Sequence, residues 1–219
     1  MPMIEFQRPD GGKTPAYSAA AARADAPGVV VIQEWWGLNP QICSVVDRLA
    51  AAGYSALAPD LYRGRLTTEA DEASHLMQSL DFVDATHQDL RGAGAHLARN
   101  GSKVAVMGFC MGGALTVAAA VHAPEFAAAA CFYGVPPAEL ARPRDIAIPF
   151  QAHFALQDDW CTPEVARGLE AEMQAAGRHP EVHYYAAAHG FFNATRPVYD
   201  AACAEQAWTR LLDFLGRHL

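Results

Sequence analysis

The sequence VAVMGFCMGG (Val104–Gly113) places a cysteine between glycines, at the point where an apolar run gives way to a helix-forming one. Glycines two residues before and two residues after Cys110 allow a strand to turn abruptly into a helix, because neither position carries a side chain that would clash. Such a turn lifts Cys110 to the C-terminal edge of a sheet, where the N-terminus of the next helix would stabilise a thiolate. Locally, the alternative is a small apolar cysteine packed inside a glycine-rich bend.

The rest of the chain alternates short apolar runs with longer amphipathic ones, which is typical of a mainly parallel sheet flanked by helices. Most predicted strands lack polar alternation, as strands covered on both faces should, and they span residues 29–34, 54–59, 103–108, 127–133, 149–156 and 181–186. Helices are predicted near 39–52, 69–98, 111–122, 163–176 and 199–215, after an N-terminal antiparallel hairpin that turns at residues 10–12. The predicted fold class is α/β, in a single domain over residues 1–219.

Composition narrows the class of protein. The 219 residues are 52% hydrophobic, which is enough for a large core. The net charge of -8, from 24 acidic and 16 basic residues, argues against nucleic acid as a partner. No segment approaches the roughly 18 apolar residues of a membrane-spanning helix, and the N-terminus lacks the features of a signal peptide. Five cysteines without paired spacing favour a cytoplasmic location and argue against a zinc site.

Candidate partners for Cys110 follow two later strands of the predicted sheet. The pair Asp158-Asp159 comes after the strand at 149–156, and His189 comes after the strand at 181–186. Ligand-binding loops of open α/β sheets gather at this edge, so a nucleophile, an acid and a base would meet there. In this arrangement His189 takes the thiol proton and later activates water, while the carboxylate orients the imidazole. We expect Asp159 to be that carboxylate, with Asp158 as the alternative.

A further candidate, Glu34, ends the first central strand, so its carboxylate should lie on the same edge of the sheet as Cys110. A carboxylate beside a thiol raises the pKa of the thiol, or donates a hydrogen bond if burial protonates it. The alternative is a glutamate exposed in the loop. A metal site of Glu34, Cys110 and His189 is also conceivable, but these residues lack any recognised metal-ligand spacing.

These residues resemble the dienelactone hydrolase family, the carboxymethylenebutenolidases of the α/β-hydrolase fold. The resemblance spans essentially the whole chain in ordered motifs, which are QEWWGLN, APDLYRG, GFCMGG, FYG, DDWCTP and HGFFN…RPVYD. The catalytic residues that it implies are Cys110, Asp159, His189 and Glu34, with an oxyanion hole from the backbone N–H groups of Trp35 and Met111. It also implies that Glu34 holds the resting thiol away from the histidine. The implied reaction is hydrolysis of an unsaturated lactone or activated ester through a thioester, without a cofactor.

The sequence departs from the family at the group that binds the substrate carboxylate. In the best-known members two arginines, a tyrosine and a tryptophan surround that carboxylate. The corresponding positions here are occupied by Ala70, Ser74, Met77 and Asn193. The clamp is therefore expected to be absent, unless a loop arginine replaces it; the candidates are Arg63, Arg65 and Arg196. We expect the reaction class to be retained and the substrate to differ.

Aromatic side chains flank the predicted catalytic loops and suggest a pocket for flat apolar rings, with ordinary core packing as the alternative. The candidate substrate-binding residues are Trp36, Phe109, Tyr133, Trp160, Phe191 and Asn193. The expected partner is a small lactone or ester, with neither nucleic acid nor membrane, and the expected assembly is a monomer or weak homodimer. The rival interpretation is a non-catalytic binding protein for a small aromatic or electrophilic ligand.

Overall fold

A computed structural model describes residues 3–219, which form one eight-stranded sheet with helices on both faces. The strands, in chain order, are β1 (Met3–Gln7), β2 (Lys13–Ala19), β3 (Gly28–Ile32), β4 (Ser55–Pro59), β5 (Val104–Phe109), β6 (Ala128–Phe132), β7 (Phe150–Gln157) and β8 (Glu181–Ala188). Across the sheet their order is β1-β2-β4-β3-β5-β6-β7-β8. The pairs β1–β2 and β2–β4 are antiparallel and the others parallel, so the predicted α/β class and N-terminal hairpin are confirmed. Residues 1–2 of the predicted domain lie outside the described residues.

Seven α-helices lie between and after the strands of the described chain. They are α1 (Pro40–Ala51), α2 (Ala70–Ser79), α3 (Phe82–Asp84), α4 (Arg91–Leu97), α5 (Met111–His122), α6 (Pro163–Ala175) and α7 (Ala201–His218). A π-helical segment, Ala85–Leu90, joins α3 to α4. Within residues 3–219 no helix is both long and apolar enough to cross a membrane.

One predicted helix is wrong, because the stretch 69–98 is divided after Ser79. Leu80 is extended there, with ψ 127°. The side chain of Asp81 then accepts hydrogen bonds from the amides of Val83 and Asp84, at 3.0 and 2.9 Å. A side chain that satisfies free amide groups favours a new helix start. The division leaves Met77, near the end of α2, at the edge of the cavity described below.

The central strands are buried on both faces, which explains why they lack polar alternation. Successive side chains of β3 and β5 enter two separate apolar clusters. Residues of α1 and α7 complete one cluster, and residues of α4, α5 and α6 complete the other. Because β3 and β5–β8 run parallel, their C-terminal ends meet at one edge of the sheet, and the loops that carry the candidate residues start there.

Candidate active site

The turn around Cys110 is a sharp strand-to-helix connection, as the glycine spacing predicts. Cys110 follows β5, has φ 55° and ψ −116°, and precedes the first residue of α5. A Cβ atom on Gly108 would lie 2.3 Å from the carbonyl oxygen of Gly112, and one on Gly112 would lie 2.5 Å from that of Gln33. Since real Cβ atoms do not approach backbone so closely, both positions require glycine. The turn therefore holds the cysteine in a strained conformation at the sheet edge.

Asp158 and His189 form the hydrogen-bonded pair of the site. His189 Nδ1 lies 2.8 Å from Asp158 Oδ2, and the Asp158 side chain has no exposed surface. Asp158 Oδ1 accepts two more hydrogen bonds, from the backbone amides of Trp160 at 2.8 Å and Cys161 at 2.9 Å. The carboxylate is therefore fixed by three donors and fixes the imidazole in turn.

The expectation that Asp159 holds the histidine is wrong, because Asp158 occupies that place. Asp159 is exposed and lies at the wall of the cavity. The register between β7 and β8 shifts between Ala155 and Gln157, just before the two aspartates. A bulge of this kind changes which residue of a pair faces a given side, so alternation along β7 could not select between them.

The environment of His189 favours its charged form. Burial lowers the pKa of His189, but the hydrogen bond to Asp158 and the neighbouring Cys110 side chain, taken with their charges, outweigh it and raise that pKa to about 10. With Nδ1 bonded to Asp158, Nε2 is the ring nitrogen left for the thiol. An imidazolium at this place would stabilise a thiolate on Cys110.

The role in oxyanion binding that is expected of the backbone amides of Trp35 and Met111 requires that both amides be free of protein acceptors. Met111 is the first residue of α5, where an amide has no partner inside the helix. Within residues 3–219 neither amide donates to a protein acceptor. The loop that carries Trp35 is held by an amide-to-carbonyl bond from Thr67 to Trp36 at 3.1 Å and by a bridge between Gly37 and Leu66.

Glu34 lies two residues beyond the end of β3 and is only 4% exposed, so it is not the solvated loop residue of the alternative interpretation. Its Oε1 accepts a hydrogen bond from the Tyr133 hydroxyl at 3.2 Å, and its Oε2 accepts one from Asn193 Nδ2 at 2.5 Å. Burial raises the pKa of Glu34, against the opposing effects of Asn193, His189, Tyr133 and Arg196. Each oxygen thus has a hydrogen-bond donor other than the thiol, and the expected restraint of Cys110 by Glu34 stays a prediction.

A cavity of about 450 Å³ opens beside Cys110 and His189. Three tryptophans form a continuous aromatic wall: ring centroids lie 5.0 Å apart for Trp36 and Trp35, and 5.3 Å apart for Trp35 and Trp160. Trp160 is 6.4 Å from the His189 ring. Of the predicted substrate-binding residues, Trp36, Trp160 and Asn193 line this cavity.

The other three predicted substrate-binding residues do not line the cavity, so the prediction is wrong for them. Phe109, Tyr133 and Phe191 are at most 2% exposed and pack in the core behind the catalytic loops. Tyr133 lies one residue after the end of β6, and Phe109 is the last residue of β5; both pack in the apolar cluster between the sheet and the helices α1 and α7. Conversely, Gln157, Pro197 and Val198 line the cavity and were missed. Pro197 and Val198 belong to the RPVYD motif, which was the available signal.

The metal interpretation finds no support in the arrangement of side chains. Within the described range, 3–219, no group of three or more His, Cys, Asp or Glu side chains is placed to hold a metal ion. The Glu34 oxygens are directed at an amide and a phenol. The structure instead brings the Cys110 thiol, the His189 imidazole and the buried Asp158 carboxylate together beside one cavity.

Comparison with known proteins agrees with this geometry. The sequence profile of the dienelactone hydrolase family matches residues 14–219. The chain belongs to the dienelactone hydrolase family. It is 30% identical to Protein usf of Aquifex pyrophilus over 233 residues, which cover 99% of this chain and 98% of the relative. It is 28% identical to carboxymethylenebutenolidase 1 of Cupriavidus pinatubonensis over 226 residues, which cover 97% and 95% of the two chains.

Solved structures agree with this dienelactone hydrolase assignment. A dienelactone hydrolase-like promiscuous phosphotriesterase from metagenomic libraries has a TM-score of 0.80 and 25% identity to this chain. The match covers 99% of this chain and 98% of the other. As a member of the dienelactone hydrolase family, the chain is a carboxymethylenebutenolidase-like hydrolase that acts on esters or lactones.

The three loop arginines that could replace the family's carboxylate clamp occupy different places. Arg63 pairs with the buried Asp89 at 2.8 Å, and Arg65 lies against a separate groove. Arg196 lines the cavity beside Cys110 and His189, with its guanidinium carbon 4.3 Å from the centroid of the Trp36 ring. Of these three cations, only Arg196 is therefore available to a ligand in this dienelactone hydrolase site.

Proposed function

We propose that this chain hydrolyses lactones or activated esters through a thioester on Cys110, with His189 as base and acid and Asp158 as the orienting carboxylate. The observation that carries the proposal is the 2.8 Å bond between His189 Nδ1 and Asp158 Oδ2, next to a cysteine held at positive φ. A carboxylate on Nδ1 reserves Nε2 for proton transfer. A protein that only binds a ligand would have no use for this pair.

Before the first half-reaction the thiol proton of Cys110 passes to His189, whose charged form the site favours, and the thiolate sulfur then forms a bond to the carbonyl carbon. The carbonyl π electrons move to oxygen, and the amides of Trp35 and Met111 donate hydrogen bonds to that oxyanion. When the oxyanion collapses, the bond to the leaving oxygen breaks and His189 returns the proton to it. For a lactone, the released enol or alcohol stays attached to the thioester.

In the second half-reaction water attacks the thioester carbon while His189 removes a proton from it. The same two amides donate to the second oxyanion. Its collapse breaks the carbon–sulfur bond, and the thiolate recovers the proton from His189. The products are a carboxylic acid and the original enzyme, so each turnover consumes one water and needs no cofactor.

The walls of the cavity suit a flat, apolar ester or lactone. Three tryptophans form one side, while Met77, Pro197 and Val198 also line the space. Aromatic rings stack on such walls with centroid separations of about 4.5–7 Å. A thiolate reacts best with esters whose leaving oxygen departs readily, so aryl esters and enol lactones are the expected substrates.

The experiment uses p-nitrophenyl acetate and an unsaturated five-membered enol lactone as substrates. We expect Cys110→Ala to lower kcat/KM at least about a thousandfold for both, because the nucleophile is lost. The control is Cys203→Ala, which removes a half-buried thiol from α7 and should keep kcat/KM within about twofold, as ordinary substitutions away from a site do. Acid-quenched protein should carry the acyl group on the peptide that contains Cys110.

Retention of turnover in Cys110→Ala would refute the proposal. A stoichiometric adduct on Cys110 that never turns over would instead identify a binding protein. Loss of activity on treatment with a chelator, with restoration by added metal, would favour a metal site over the thiol.

A further inference from the structure

Tyr133 has an unusual backbone for its size and position. Its φ is 38°, one of three positive values among the non-glycine residues of the described chain, and its side chain is fully buried. Its amide donates to the carbonyl oxygen of His153 at 2.8 Å. The next residue, Gly134, is so close to the turn that a Cβ atom there would lie 2.1 Å from the carbonyl oxygen of Cys110. Strained residues of this kind persist only where the surrounding structure over-determines them.

The Tyr133 side chain contacts two parts of the catalytic site. Its hydroxyl donates to Glu34 Oε1 at 3.2 Å. Its ring meets the His189 ring edge-on, with centroids 5.1 Å apart, and meets the Phe191 ring with centroids 5.5 Å apart. Burial, the charges of Glu34 and Cys110 and the bond to Glu34 hold the pKa of Tyr133 well above 10, so the hydroxyl stays protonated and remains a donor.

Asn193 supplies the second donor, and its orientation is set by its own partners. Asn193 Oδ1 accepts hydrogen bonds from the amide of Thr195 at 3.0 Å and from its hydroxyl at 2.7 Å. The amide nitrogen must then face Glu34 Oε2, which lies 2.5 Å away. Glu34 thus meets two donors, which is the arrangement that favours a carboxylate.

The titratable and charged groups near Glu34 come from two loops. His189 and Arg196, on the loop after β8, lower the pKa of Glu34, while burial raises it. Cys110 lines the same cavity from the turn after β5. The side chains that hydrogen-bond the Glu34 carboxylate directly are those of Tyr133 and Asn193.

We propose that Tyr133 and Asn193 are positioning residues that hold Glu34 as a fixed carboxylate, joining the loop of the oxyanion amide to the loop of His189. Glu34 immediately precedes Trp35, and Asn193 lies on the His189 loop, so the hydrogen bond between Glu34 and Asn193 links these two loops. The hydrogen bond from the buried Tyr133 hydroxyl fixes the other oxygen of Glu34. This inference rests on the proposed thiol hydrolase chemistry. It differs from a restraint of the resting thiol, because Glu34 keeps its place throughout the reaction.

The test is Tyr133→Phe, which removes only the hydroxyl, with Tyr17→Phe as the matched control. The Tyr17 hydroxyl also donates to a carboxylate, that of Asp47 at 2.8 Å, but Asp47 lies on α1 and the pair is away from the cavity. The first readout is the carboxyl carbon signal of Glu34 in protein with 13C-labelled glutamate, assigned by its loss in Glu34→Gln. We expect Tyr133→Phe to raise the pKa of Glu34 by about one unit, because one of two bonds to the ionised form is lost, and Tyr17→Phe to leave it unchanged.

The second readout is the split between kcat and KM. Tyr133→Phe should lower kcat about tenfold with KM within about threefold, since the oxyanion amide and the base act in the transition state rather than in substrate binding. Asn193→Ala should also raise the pKa of Glu34, because it removes the other hydrogen bond to the carboxylate. If Tyr133→Phe does not fold, the Glu34 titration in Asn193→Ala tests the proposal.

An unchanged Glu34 titration in these variants, or an equal shift in Tyr17→Phe, would overturn the inference. The titration does not depend on turnover. If Cys110→Ala retains activity while the Glu34 signal still shifts, the proposed reaction fails and the positioning of Glu34 stands.

Discussion

Replacing Asp158 by asparagine tests the pair on which the catalytic proposal rests. Asparagine keeps Oδ1 for the amides of Trp160 and Cys161, so the local backbone should hold its shape. In place of Oδ2, however, it presents an NH2 group to His189 Nδ1. Nδ1 must then accept that hydrogen bond, and the ring proton moves to Nε2, which can no longer take a proton from the thiol.

The size of the effect follows from the environment of His189. Its pKa rises from 6.5 to about 10, and its side chain is 21% exposed. At about 1.36 kcal/mol per pKa unit, this rise corresponds to roughly 5 kcal/mol of preference for the imidazolium, supplied by Asp158 and Cys110 together. A comparable loss in the transition state predicts that Asp158→Asn lowers kcat/KM about 1,000- to 10,000-fold.

The assay compares initial rates of aryl ester hydrolysis by Asp158→Asn and Asp159→Asn. Asp159 is exposed, so its variant should change kcat/KM by no more than about threefold. A larger loss in Asp159→Asn than in Asp158→Asn would refute the assignment.

Stability gives a second measurement: the raised pKa of His189 stabilises the fold below pH 6.5, and this stabilisation is lost as the pH rises through about 10. The free energy of unfolding should therefore differ most between wild type and Asp158→Asn at or below neutral pH.

Two further predictions concern the turn and the cavity. Gly112→Ala should lower the free energy of unfolding by about 3 kcal/mol or more, because its Cβ would lie 2.5 Å from two backbone oxygens. Gly168→Ala, on α6 with no atom within 4 Å of the added Cβ, should raise it by about 0.5–1 kcal/mol in the same urea titration. Arg196→Gln should lower kcat/KM about 10- to 100-fold for an aryl ester that carries a carboxylate, relative to its neutral isostere, because a charge-assisted hydrogen bond is lost. An equal effect on both esters would exclude Arg196 as an anion-binding group.

Much of the fold could be predicted because its central strands obey one simple rule. Strands such as β3 and β5 are apolar throughout, since each is covered on both faces, and the glycines around Cys110 have no steric alternative. The bounds of helix α6 could also be predicted from the sequence. Thr162 Oγ1 accepts a hydrogen bond from the amide of Val165, Pro163 is the first helical residue, and Gly177, with φ 72°, follows the end of the helix. In these places local chemistry and tertiary packing favour the same structure.

The misses share a different cause, which is tertiary geometry without a local signature. The break at Leu80 lies inside a continuous helical pattern, and only the capping bonds of Asp81 reveal it. The choice between Asp158 and Asp159 depends on a register shift in β7. Tyr133 was expected to face the substrate, but a positive φ directs it behind the site. None of these features changes the spacing of residue types along the chain.

The order of strands separates the parts of the site by their distance from the sheet edges. Cys110 follows β5 in the middle of the sheet, whereas His189 follows β8, which has a neighbour on one side only. Outer strands tend to open at lower cost than inner ones. Partial fraying of β8 would therefore move His189 away from Cys110 while most of the sheet stays intact, so the candidate site would lose its geometry before the fold is lost.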